Sequence, residues 1–127
     1  MYRNCLFLLI GVCMLLQLGC SDGRTRVYGT IRYQDKPVEF GKIAFISPEL
    51  KGPTAEAVVR GGQYEVLVPQ GRHTIRLYNF VETGRRYPFG KDKEPAIDYK
   101  QTFPPEVNDK STIVLDIPKG KMEYNYP

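Results

Sequence analysis

With 127 residues, a formal charge of +4, three cysteines and one histidine, the chain has room for one domain with one core, and any metal centre or catalytic pair built on several histidines is excluded. The positive excess is small and spread along the sequence, with tight basic pairs as short as Arg85-Arg86, so it does not make the basic stripe that nucleic-acid binding calls for. Ten prolines and twelve glycines argue against long helices, and no window carries a convincing helical period.

In chain order, Met1-Tyr2-Arg3-Asn4 supplies one positive charge and Cys5 to Leu16 runs apolar without a charge. Leu16-Gln17-Leu18-Gly19-Cys20 then closes the segment with a small residue before a cysteine. This pattern predicts an export signal over residues 1–19, whose apolar centre is well short of the roughly 20 residues that span a bilayer. Leu18-Gly19-Cys20 resembles the bacterial lipobox, which implies that Cys20 is acylated and becomes the first residue of the mature chain. Ser21 follows, and in lipoproteins of Gram-negative type a serine there goes with outer-membrane sorting. The alternative is an ordinary secretory signal cut nearby, leaving Cys20 as a free thiol. Cys5 and Cys13 depart with the signal, so no intramolecular disulfide can form and the exported domain must be held by apolar packing.

Residues 20–26 read as a short lipidated tether and residues 27–127 as the domain. Val27-Tyr28-Gly29-Thr30-Ile31-Arg32-Tyr33 alternates with period two, placing Val27, Ile31 and Tyr33 on one face. After a turn at Asp35-Lys36-Pro37, the apolar run Lys42 to Ile46 fits a strand buried on both sides. Ala55 to Val59 forms a third strand, and Arg60-Gly61-Gly62-Gln63 a hairpin turn in which the glycines supply positive φ. Tyr64 to Val68 is the fourth strand, ending at Pro69-Gln70-Gly71. His73 to Phe80 is the fifth, with Ile75 and Leu77 inward. Thr112 to Ile117 and Met122 to Tyr126 complete seven. The expected fold is all-β, a seven-stranded prealbumin or immunoglobulin-like β-sandwich.

Between the fifth and sixth strands, Glu82 to Asp109 holds aromatics, prolines and mixed charge without a clear strand. A loop this long in a small domain is commonly functional or a packed cover. Tyr87, Phe89 and Tyr99 are its candidate binding residues, with Phe103 at its far end. Tyr28, Tyr78, Tyr87, Tyr99, Tyr124 and Tyr126 are the tyrosines expected at the surface.

The stretch Val27 to Val38 resembles the "V-x-G-x-V-x-y-x-g-k-P-V" opening of transthyretin-like and carboxypeptidase regulatory-like domains, and Gly41 to Ile46 resembles their second strand. Gly62-Gln63-Tyr64-Glu65-Val66 and Val68-Pro69-Gln70-Gly71-Arg72-His73-Thr74-Ile75 are similar to their central hairpin, with His73 where an aromatic is usual. The resemblance covers roughly residues 27–77 and extends to small lipoproteins of planctomycete-type bacteria. It implies the prealbumin-type sandwich and says little about function, because that fold carries binding modules and enzymes alike.

The chain is poor in catalytic sets. His73 reads as a surface or half-buried stand-in for an aromatic. No Gly-x-Ser-x-Gly elbow, phosphate loop or calcium loop occurs. The hydrolases of the transthyretin-like fold use several histidines and a C-terminal Tyr-Arg-Gly-Ser, whereas this chain ends Tyr124-Asn125-Tyr126-Pro127. The expectation is therefore a non-catalytic module with no cofactor and no metal, anchored to the envelope membrane through lipid on Cys20. Its partner would be an envelope protein or a polysaccharide. Rival readings are a carbohydrate-binding module using Tyr87, Phe89 and Tyr99, and an enzyme with convergent carboxylates around Glu94 and Asp98.

Overall fold

Residues 23–50, 52–87 and 96–127 are described by a computed structural model. The expected signal, Cys20, Phe89 and Glu94 lie outside the described residues, as does the side chain of Tyr87. The chain forms β1 (Arg24–Thr30), β2 (Arg32–Tyr33), β3 (Lys36–Pro37), β4 (Phe40–Ile46), β5 (Pro53–Arg60), β6 (Gln63–Pro69), β7 (Gly71–Tyr87), β8 (Ala96–Gln101), a 3-10 turn at Pro105–Val107, β9 (Val114–Ile117) and β10 (Lys121–Glu123). It is all-β. Eight strands make one mixed sheet, and β2 and β3 pair apart as a small hairpin.

Local chemistry explains these strands. In β1, Thr25 and Val27 are buried while Arg24 and Arg26 face solvent, the alternation expected of a half-buried strand. β4 runs between β5 and β7, and Gly41, Ile43, Ala44 and Phe45 are all buried, as its continuous apolar run predicts. Gly61 and Gly62 have φ of 55° and 78°, the positive pair that a two-residue hairpin between β5 and β6 requires. Gly29 meets a different demand: a Cβ there would overlap the Tyr124 carbonyl where the C-terminal segment crosses β1.

The sheet order β10-β1-β6-β5-β4-β7-β8 has one narrow point, where β5 and β6 share the single pair Arg60 and Gln63. Beyond it β6 pairs with β1 and β5 with β4, each along nearly its whole length. Apolar side chains of the two parts meet in one core: Val27, Tyr64 and Val68 from one, Ile43, Phe45, Val59, Ile75 and Leu77 from the other. This arrangement is consistent with a β-sandwich.

Three expectations change. Where seven strands were expected, the described residues form ten strand elements, because β2 and β3 pair as a hairpin of their own and strand structure continues beyond Phe80. β7 continues to Tyr87, and β8 pairs back against it over Phe80 to Tyr87 with a register shift between Glu82 and Arg86. Residues 81–86 are exposed, so this ribbon buries no face and leaves no periodic signal in the sequence. Finally, β1 begins at Arg24, inside the stretch expected to be tether.

Candidate functional site

The β2–β3 hairpin and the β7–β8 ribbon stand on either side of the start of β4 and enclose an open groove of about 940 Å³. The turn of the small hairpin places Gln34 and Asp35 at φ of 51° and 64°, and Arg32 Nη2 donates to the Asp35 carbonyl at 2.6 Å, which closes it. Its base is fixed by Val38 N–H to the Ile31 carbonyl at 3.0 Å and Gly62 N–H to the Val38 carbonyl at 2.7 Å. On the opposite side, Phe80 and Glu82 of β7 lie across from Gln101 and Tyr99 of β8, which turns these four side chains to one face of the ribbon.

Three rings meet in the groove. Phe40 lies 5.7 Å from Phe80 and 5.5 Å from Tyr99 between centroids, both tilted, within the range of favourable aromatic pairs. The Arg60 guanidinium stands 5.4 Å over the Phe40 ring, a cation–π placement at one end of the groove. Phe80 stacks on Tyr78 at 5.9 Å, and Tyr78 in turn carries Lys42 at 4.6 Å over its face. Around the rings the lining is polar and mixed in sign: Lys36 and Arg60 against Glu39 and Glu82, with Gln34, Asn79 and Thr102. Asn79 is held by donating its side-chain N–H to Thr102 Oγ1 at 2.9 Å. Such a surface offers apolar faces bordered by hydrogen-bonding groups of both kinds, which is the pattern of a ligand cleft.

Of the residues expected to bind, Tyr99 is described, 43% exposed, and lines this groove. Tyr87 ends β7. The groove residues that sequence reading did not single out are Phe40, Phe80, Tyr33 and Arg60. Their signal was positional: Phe40 and Arg60 are directly opposed in register, and Phe80 closes the expected fifth strand at the same end. Tyr28, Tyr78, Tyr124 and Tyr126 are half-buried rather than exposed, and Tyr124 and Tyr126 pack against the core.

The carboxylate cluster expected around Glu94 and Asp98 is represented by Asp98 alone, which accepts from Thr83 Oγ1 at 2.7 Å and braces the ribbon. Among the described residues, no three His, Cys, Asp or Glu side chains gather as a metal site. His73 is not at the surface. It is 2% exposed and edge-on to Phe45 at 6.4 Å, in the core position that an aromatic would fill.

Strand register gives the groove its place in the molecule. β4 and β5 are antiparallel, with Phe40 opposite Arg60 at one end and Ile46 opposite Pro53 at the other. β1 starts at that second end, where Arg24 lies opposite Pro69. The groove and the point where the N-terminal segment leaves are thus at opposite poles, about 20 Å apart along the six steps of β4. Compared with known proteins, the chain matches no family model, no curated protein and no solved structure at a significant level.

Proposed function

We propose that the chain is a non-catalytic binding module of the cell envelope, exported by residues 1–19, anchored by lipid on Cys20 and folded as a transthyretin-like or carboxypeptidase regulatory-like sandwich. Its ligand occupies the groove between the β2–β3 hairpin and the β7–β8 ribbon. One observation carries this reading: Phe40, Phe80 and Tyr99 converge with Arg60 in a cleft at the pole remote from the tether. A partner reached from an anchored domain is met at that pole.

A second reading, polysaccharide as the ligand, is supported by Tyr99, whose exposed ring sits beside Glu39, Glu82 and Asn79. Sugars are held in this way, by a ring face and a fringe of donors and acceptors. Intact mass and membrane fractionation of the native protein beside Cys20→Ala test the anchor. An acylated, membrane-bound native form that loses its lipid or stays unprocessed in the variant is the expected result. The groove is tested by titrating the protein with envelope polysaccharide fragments and with solubilised envelope proteins. Tyr99→Ala and Arg60→Ala abolish whichever interaction is real. Binding unaltered by both substitutions overturns the groove assignment.

A further inference from the structure

The large sheet ends on one side at β10, three residues long, and on the other at β8, six residues long. A very short edge offers little to pair with, whereas β8 holds neither proline nor glycine and presents a row of backbone groups. One hydrogen bond fixes where those groups point. Thr102 N–H donates to the Asn79 carbonyl at 3.0 Å, so the backbone of Thr102 turns toward β7. Along an antiparallel strand this direction alternates, so Lys100 and Asp98 also turn toward β7, and Thr83 Oγ1 of β7 lies 3.5 Å from the Asp98 carbonyl. Gln101, Tyr99 and Ile97 therefore turn their N–H and C=O groups away from β7. Among the described residues, no backbone group pairs with them there.

The side chains of β8 select what fits this edge. The exposed Ile97 and Tyr99 share one face of the strand, and Asp98 and Lys100 share the other. Asp98 spends one carboxylate oxygen on Thr83, and among the described residues Lys100 makes no ion pair. A second β8 laid antiparallel must match outward groups with outward groups, which leaves three central registers. With Ile97 opposite the partner's Tyr99, Asp98 faces the partner's Asp98. With Tyr99 opposite the partner's Gln101, Lys100 faces the partner's Lys100. With Tyr99 opposite the partner's Tyr99, Asp98 faces the partner's Lys100 and Lys100 the partner's Asp98. Both of these opposite-charge pairs fall at non-hydrogen-bonded positions, where side chains stand closest. This register also matches Ile97, Tyr99 and Gln101 entirely within β8, whereas each of the others leaves one of the three without a β8 partner.

We propose that β8 is a self-pairing edge through which a second copy of this chain joins the sheet, antiparallel, with Tyr99 opposite Tyr99 about a two-fold axis. The contact is isologous, so each copy supplies the Asp98 and the Lys100 that the other needs. The axis stands perpendicular to the joined sheet, which sets the two Tyr99 rings on one side and brings the grooves they line next to each other.

Sedimentation equilibrium of the purified protein reads this pairing without any ligand, so its result is separate from the assignment of the groove. The native protein is expected to show a monomer–dimer equilibrium. Asp98→Lys sets lysine opposite lysine and Lys100→Asp sets aspartate opposite aspartate, and each raises the dimer dissociation constant roughly tenfold or more. An equimolar mixture of the two variants regains the native dimer level, because two lysines of one chain then face two aspartates of the other. The double variant, Asp98→Lys with Lys100→Asp, dimerises like the native protein. Both rescues require folded chains, which separates lost pairing from lost fold. Ile97→Pro removes an outward N–H while leaving the ladder to β7 intact, and it weakens the dimer without changing the charges. Single variants that dimerise like the native protein, or a mixture that stays monomeric, overturn the proposal. A native protein that is monomeric at every concentration also overturns it and leaves the edge to a strand of a different protein.

Discussion

His73 and Tyr64 show how single polar groups are handled inside this core. His73 Nδ1 lies 3.0 Å from the Gly71 carbonyl, which can only accept, so Nδ1 carries the proton and Nε2 is a bare acceptor. That atom is buried with no hydrogen-bond partner. An unmet buried acceptor costs about 1–3 kcal/mol, against about 1 kcal/mol for the bond that Nδ1 makes. His73→Phe therefore stabilises the protein by about 1 kcal/mol, seen as a rise in Tm in calorimetry; a fall would mean that the Gly71 bond outweighs the unmet atom. Tyr64 is satisfied, donating its hydroxyl to the Tyr124 carbonyl at 2.8 Å. Burial holds its phenol well above the ordinary value of 10.0, with Tyr124 and Glu123 adding to the shift. A raised phenol keeps its proton in the folded chain while the unfolded chain releases it. Stability from this group is thus intact below about pH 10 and falls above it, by up to about 1.4 kcal/mol per pH unit. Urea melts across alkaline pH should show that decline, shallower in Tyr64→Phe; an identical slope in the variant would assign it to other groups.

At the scale of elements, β7 organises the molecule because it serves three partners along one strand. Its first residues pair with β9, its centre with β4 and the stretch from Phe80 to Tyr87 with β8. β9 and β8 share an edge, and the gap between them would leave buried backbone groups unpaired. The 102–113 segment fills it. Thr102 N–H donates to the Asn79 carbonyl at 3.0 Å, Asn108 Nδ2 to the Leu77 carbonyl at 2.6 Å, and Ser111 Oγ to the Ile75 carbonyl. Asn108 is 5% exposed, so its bond to the Leu77 carbonyl is made inside the protein. Asn108→Ala leaves the Leu77 carbonyl bare and costs about 1–3 kcal/mol in denaturant unfolding; a change within experimental error would show that the segment re-closes without it. None of this was legible in the sequence, where Asn108 sits among turn residues with nothing to mark its distant partner. The strands that bury a face were legible, since Val27, Ile43, Phe45, Ile75 and Leu77 announce themselves by period or by apolar runs. The β7–β8 ribbon was not, because exposed residues such as Thr83, Arg85 and Asp98 carry no burial pattern. The groove stayed hidden for a related reason: Phe40, Arg60 and Phe80 come together by strand register, which sequence spacing does not encode.

For the whole molecule, the separation of core and ribbon sets what can be altered without loss of the fold. Among the described residues, none between Val81 and Gln101 belongs to the buried core. Phe40 and Phe80, which form the groove floor, remain in place without the ribbon and are linked to it through the Phe40–Tyr99 ring contact at 5.5 Å. Val81 lies opposite Lys100, so replacing the residues between them by Asn-Gly closes β7 onto the remainder of β8 as a two-residue hairpin. The expected loss is that of one aromatic pair, about 1 kcal/mol, or a fall in Tm of about 4 °C. Unfolding should stay cooperative, because both parts of the sheet keep their shared core. The same excision removes one wall of the groove and with it Tyr99 and Glu82, so ligand capture disappears. A shortened protein that folds and binds nothing in the groove makes the ribbon a binding element carried by an independent core. A shortened protein that fails to fold would instead make the ribbon a structural part of the sandwich, and the groove a consequence of its packing.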